Sequence, residues 1–229
     1  MLTKFHPETG TPFMSDRSIE LAIGLVGDDH VLSLFNIQSD EDLKVKFQMV
    51  APDEWKHEIK FKVKNYGVVG DCTSDLLEKM RGSFKEQVSA LDYMILLVGT
   101  NDVLLGVPIA ETVQNLRDIL TLARKSETTP VFCTLLPISK GEFSQTVTDV
   151  NSMMTIFCAQ HDFKVFDLNL SFNDGDDRLD EFHDIGDGVH LTQDGYLFLA
   201  DNLLLRVVEI IGEEFEDYQN HAGLQAQQG

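Results

Sequence analysis

The chain has 229 residues, 43% of them hydrophobic and 24% charged, which suits one globular domain with a buried core and excludes a disordered or fibrous class. Its 38 acidic against 18 basic side chains leave a formal net charge of -20, which disfavours nucleic-acid backbones and anionic membrane surfaces as partners and reads as a solvated acidic surface. Cys72, Cys133 and Cys158 are widely spaced with no CxxC pair, so reduced, partly buried thiols are expected rather than disulfides or a zinc site. No segment offers the ~18 apolar residues of a membrane span and the first residues lack an apolar core, so a cytoplasmic location is expected.

In chain order, residues 1–20 read as an N-terminal extension, residues 21–212 as the domain and residues 213–229 as a tail without apolar periodicity. Leu21 to Val26 is an apolar run of strand length, and Val63 to Val69, Tyr93 to Val98, Val131 to Leu135 and Val165 to Leu168 repeat the pattern. Segments of helical period lie between and after them: Ser74 to Arg81, Ile109 to Arg124, Thr146 to Gln160 and Gln193 to Ile211. Strands alternating with helices predict an α/β fold, a five-stranded parallel sheet covered on both faces in a three-layer α/β/α sandwich. One stretch departs from the rhythm, because Asp42 to Lys64 alternates apolar and polar residues around Pro52. That period of two predicts a half-exposed hairpin leading into the second strand.

In an open parallel sheet the functional site lies beyond the carboxyl ends of the strands. The residues there are Gly27-Asp28-Asp29-His30, Gly67-Val68-Val69-Gly70-Asp71 and Gly99-Thr100-Asn101-Asp102, with Asp187-Gly188-Val189-His190 before the last helix. Each alone is an ordinary Gly/Asx turn. In this order they resemble the blocks of the SGNH (GDSL-type) hydrolases, whose first block reads Gly-Asp-Ser, whose second supplies a glycine, whose third is Gly-x-Asn-Asp and whose last is Asp-x-x-His. The resemblance runs from about Leu21 to Leu205.

The resemblance implies an ester hydrolase that uses no cofactor or metal and acts on a small-molecule ester, of lipase, thioesterase, arylesterase or carbohydrate-esterase type. His190 would be the general base and Asp187 its orienting carboxylate. The oxyanion would be held by the amide of residue 29, the Gly70 amide and the Asn101 side chain, each worth on the order of 3 kcal/mol in the transition state. Asp28 would fix the turn. Leu136-Pro137-Ile138 and the run Leu104, Leu105, Val107, Pro108 would border an acyl pocket, Trp55 would serve a lid or a dimer contact, and Asp167 would be structural.

The departure is Asp29, which stands where the resemblance requires the nucleophilic serine. A carboxylate has no proton to pass to histidine, is a poor acyl nucleophile and would yield a reactive anhydride. Its charge repels a developing oxyanion by ~4 kcal/mol at a separation of ~4 Å and an effective dielectric of ~20. Close to His190 it favours the protonated imidazolium over the free base. Ser33, one helical turn on and about 6 Å away along the axis, does not replace it. The readings left open are an impaired ester hydrolase, a metal-assisted site gathering Asp28, Asp29, His30, Asp187 and His190, and a non-catalytic ligand-binding or interaction protein on the same scaffold.

Overall fold

A computed structural model describes residues 19–226 other than 54, 56–58 and 141; most of the expected N-terminal extension and the last residues of the expected tail lie outside the described residues. Five parallel strands form one sheet in the order β2-β1-β3-β4-β5, with β1 at Ile19–Gly27, β2 at Ile59–Gly67, β3 at Tyr93–Leu97, β4 at Thr129–Cys133 and β5 at Lys164–Phe166. The expected parallel α/β sandwich is the fold found. Strand β3 is buried on both faces because the sheet is sandwiched, and alternate residues serve different layers. Tyr93, Ile95 and Leu97 join one core with Leu34 of α1 (Asp29–Ile37), Phe47 of α2 (Asp40–Val50) and Leu203 of α9 (Gln193–Ala226). Met94 and Leu96 join the other, with Leu77 of α3 (Thr73–Arg81), Val88 of α4 (Lys85–Ser89), Leu116 of α6 (Ile109–Lys125) and Met154 of α7 (Ser144–Gln160). Two short helices, α5 (Thr100–Leu105) and α8 (Leu168–Phe172), follow β3 and β5.

The expected hairpin is absent, and its two halves do different things. Asp40–Val50 is a helix because Ser39 and Asp42 cap it reciprocally, the Asp42 amide donating to Ser39 Oγ at 3.2 Å and the Ser39 amide to Asp42 Oδ2 at 3.0 Å. Leu43 and Phe47, four apart, form its buried stripe. The alternation in Ile59 to Lys64 is that of a single edge strand with Ile59, Phe61 and Val63 buried and Lys60, Lys62 and Lys64 exposed. Trp55 is not a lid: it is 7% exposed and packs into the core near Gly212. The final helix continues past Ile211 to Ala226, through a stretch in which Glu, Ala and Gln favour helix and no proline interrupts it. No helix of the described residues is long and apolar enough to cross a membrane.

Candidate active site

The strand register builds the site. Gly27, the last residue of β1, pairs with Gly67 at the end of β2 and with Leu97 at the end of β3, so three strand-to-helix turns leave the sheet at one level. They are stitched together where they leave: the Val68 amide donates to the Gly27 carbonyl at 3.0 Å and the Asp28 amide to the Leu97 carbonyl at 3.3 Å.

In the first turn Asp28 caps α1, accepting the His30 amide on Oδ1 at 3.1 Å. It is fully buried, and burial pushes its carboxyl up from 3.8 to about 7, further helped by the neighbouring charge of Asp29 and opposed by amide hydrogen bonds. His30 is buried too, and loss of solvation drops its imidazole from 6.5 to about 4, so it is neutral at neutral pH. Its Nδ1 faces the Tyr196 hydroxyl at 3.4 Å, and its ring centre lies 5.8 Å from that of His190. Asp28 Oδ2 and His30 Nε2 have no hydrogen-bond partner among the described residues.

Asp29 opens α1, half-buried at the rim. Its Oδ2 accepts the Gly70 amide at 2.9 Å and the Asn101 side-chain amide at 2.8 Å. Burial pulls its carboxyl upward, but the Asn101 and Gly70 hydrogen bonds, aided by the nearby His190, outweigh it and hold Asp29 below the usual carboxylate range. Gly70 is needed here for its backbone angle, φ 75°, which turns its N–H toward Asp29; a side chain at this position would meet nothing within 4 Å. Asn101, in the first turn of α5, also donates to the Asp71 carbonyl at 3.1 Å. Its neighbour Asp102 is fully buried and ties α5 to α3, accepting the Thr73 amide at 2.8 Å and the Thr73 hydroxyl at 2.5 Å.

The fourth segment precedes α9. Asp187 Oδ1 accepts the Val189 and His190 amides at 2.9 Å and 2.8 Å, and Oδ2 faces His190 Nδ1 at 2.7 Å. Partial burial raises the Asp187 carboxyl, but the hydrogen bonds to His190 dominate and hold it below its ordinary value. With Asp187 ionised, Nδ1 carries the ring hydrogen and Nε2 is the nitrogen left to take a proton. Asp184 supports the loop, its Oδ1 accepting the amides of Gly186, Asp187 and Gly188 at 2.7, 3.1 and 3.0 Å.

The five residues singled out in the sequence therefore fall into two bonded groups at one edge of the sheet, Asp29 with Gly70 and Asn101, and Asp187 with His190. The arrangement supplies an oriented imidazole and two N–H donors converging on one oxygen. Ser33 is engaged with the Tyr196 hydroxyl, and Asp167 caps α8 while taking the Thr134 hydroxyl at 3.0 Å. Leu136 and Ile138 do not border a pocket, being 1% and 2% exposed within the core. Leu105 is 73% exposed at the end of α5, the helix that carries Asn101, and Val69 at 66% and Ile185 at 58% are exposed on the loops that carry Gly70 and Asp187. Among the described residues no group of three or more His, Cys, Asp or Glu side chains is arranged to hold a metal ion, because Asp28 turns inward and Asp187 is committed to His190. The packing of His30 against Tyr196 was not anticipated, since nothing local to position 30 signals a helix 166 residues away. The three cysteines are free and buried.

Residues 45–197 match the model of the GDSL-like lipase/acylhydrolase family. No curated protein matches the chain. Among solved structures, the lipase/acylhydrolase from Enterococcus faecalis is 21% identical with a TM-score of 0.65, covering 82% of this chain and 96% of that one. A GDSL-like lipase from Bacteroides thetaiotaomicron is 15% identical with a TM-score of 0.66, over 83% of this chain and 88% of that one. An acetyl xylan esterase is 16% identical with a TM-score of 0.63, over 80% and 98%.

Proposed function

Since the chain belongs to the GDSL-like lipase/acylhydrolase family, we propose that its sheet edge is an ester-hydrolase site in which a carboxylate has replaced the nucleophile. His190 is the general base, Asp187 orients it, and the amide of residue 29, the Gly70 amide and the Asn101 side chain are the oxyanion donors. The substrate is a small-molecule ester with an apolar acyl group, which exposed Val69, Leu105 and Ile185 suit.

The observation that carries this reading is the pair of donors on Asp29 Oδ2, the Gly70 amide at 2.9 Å and Asn101 Nδ2 at 2.8 Å. Two N–H groups converging beside position 29 is what stabilisation of a tetrahedral oxyanion requires. In this chain its own carboxylate fills that place, which blocks the carbonyl oxygen and adds repulsion of ~4 kcal/mol, about a 10³-fold effect on rate. The chain as it stands is thus a poor acyl-transfer catalyst.

The test is steady-state hydrolysis of p-nitrophenyl acetate and butyrate by the chain, by Asp29→Ser and by Asp29→Ser/His190→Ala. A gain of about 10³-fold or more on Asp29→Ser, lost again without His190, is expected. Silence in all three forms rejects this reading in favour of a non-catalytic ligand-binding protein.

A further inference from the structure

The sheet edge holds a carboxylate in an unusual posture. Asp29 Oδ2 is fixed by the Gly70 amide and Asn101 Nδ2, whereas Oδ1 receives no side-chain donor among the described residues. The carboxylate is half-buried, and His190, near enough for its charge to act on Asp29, has a side chain 39% exposed, so water reaches both. We propose that Asp29 Oδ1 is a nucleophile toward the saturated carbon of an uncharged alkyl halide, and that His190 with the two donors then hydrolyses the alkyl ester formed on the protein itself. This rests on the roles given above to Gly70, Asn101, Asp187 and His190, and it changes the electrophile those groups serve.

The chemistry follows from what a carboxylate does well. Attack at an acyl carbon gives an anhydride and asks for a second negative charge in a hole already filled, but displacement at saturated carbon needs no oxyanion hole. Oδ1 forms the new C–O bond, the carbon–halogen bond breaks, and the halide leaves with the electron pair into solvent at the open side. The charge at position 29 is then gone, and with it the repulsion of a developing oxyanion. The remaining carbonyl oxygen, Oδ2, already lies between the two donors, so the ester is polarised without rearrangement. Water attacks the Asp29 carboxyl carbon and gives its proton to His190 Nε2, the tetrahedral oxyanion forming on Oδ2. Collapse breaks the bond between that carbon and Oδ1. The departing alkoxide takes the proton from His190, and Asp29 is regenerated with one oxygen from water. The balance is alkyl halide and water giving alcohol, halide and a proton.

Other electrophiles that a carboxylate attacks fit less well. A phosphoryl group requires cations around its equatorial oxygens, but the cation near the Gly70–Asp71 turn, Lys79, is paired with Asp71, and the chain carries a net charge of -20. A glycoside requires a second carboxyl as proton donor on the leaving group, but Asp28 is fully buried and Asp187 is hydrogen-bonded to His190. The exposed apolar side chains Val69, Leu105 and Ile185 favour a neutral, apolar substrate.

The experiment exposes the full chain, His190→Ala and Asp29→Ala to 1-bromobutane, following bromide release and intact mass, with one turnover in water labelled with heavy oxygen. The native chain should release bromide at roughly 10²-fold or more the rate of Asp29→Ala. His190→Ala should accumulate one butyl group on the peptide containing Asp29, and the labelled turnover should put heavy oxygen into that peptide rather than into butanol. No bromide release above Asp29→Ala together with no adduct in His190→Ala overturns the proposal, as does heavy oxygen in the butanol. If that occurs while Asp29→Ser hydrolyses aryl esters, this proposal alone fails. If instead an adduct persists in the native chain as in His190→Ala and Asp29→Ser is silent, the role given to His190 fails with it.

Discussion

Asn101 donates its side-chain amide to Asp29 Oδ2 at 2.8 Å, the same oxygen that takes the Gly70 amide at 2.9 Å. Asn101→Ala should therefore raise the Asp29 pKa, because burial alone pushes that carboxyl upward and the Asn101 hydrogen bond leads the effects that reverse it. Carboxyl-carbon NMR titration reads the change. In the Asp29→Ser background the same substitution should lower kcat for aryl esters by ~10²-fold. An unmoved titration would mean that the hydrogen bond does not form.

Asp28 and His30 give opposite pH dependences to stability. Asp28 moves from 3.8 unfolded to about 7 folded, so between these values the folded chain binds more protons and stability falls as pH rises. His30 moves from 6.5 unfolded to about 4 folded, so in that window the unfolded chain binds more protons and stability falls as pH drops. The two slopes, each at most ~1.4 kcal/mol per pH unit, oppose one another in the parent between about pH 4 and 6.5. Asp28→Asn should unmask the histidine and give a chain that gains stability from about pH 4 to 6.5, and His30→Gln should show the reverse slope. Urea unfolding across this range checks both, and curves parallel to the parent would show that neither group is shifted as described.

Gly188, next to Asp187, is the residue at which the 139–140 segment pins the loop. Its φ is 74°, and a Cβ there would stand 2.7 Å from the Lys140 amide nitrogen, which together with the Ser139 amide donates to the Gly188 carbonyl. Gly188→Ala should cost about 1–3 kcal/mol by thermal or urea unfolding. It should also abolish most of the esterase activity of Asp29→Ser, because the loop that aims His190 must move.

Among the described residues Asp102 accepts the Thr73 amide and hydroxyl and, at 3.4 Å, the Thr112 hydroxyl. Asp102→Ala leaves that buried amide without its acceptor and should destabilise the fold by ~2–4 kcal/mol, measured by urea unfolding. Loss below ~0.5 kcal/mol would mean the α3–α5 tie carries little.

The sheet was legible in the sequence because its strands are short apolar runs, and β3, buried on both faces, is apolar throughout. Alternation misled at Asp42 to Lys64, where one period of two belongs to an edge strand with a lysine face and the other to a capped helix whose signal, Ser39 followed by Asp42, is local and readable. The five candidate residues could be singled out because each lies just beyond a strand end or before the last helix. What position 29 touches was not, since its donors come from turns 41 and 72 residues away. The burial of Asp28, His30 and Trp55 depends likewise on distant packing, in part against α9.

The most direct test of the central assignment is covalent labelling of Asp29→Ser by a fluorophosphonate, with the labelled residue located by peptide mass. Labelling should fall on position 29, be absent from the native chain, and disappear in Asp29→Ser/His190→Ala. No labelling of Asp29→Ser, or labelling that persists without His190, would contradict the placing of Asp29 at the nucleophile position of an ester-hydrolase site.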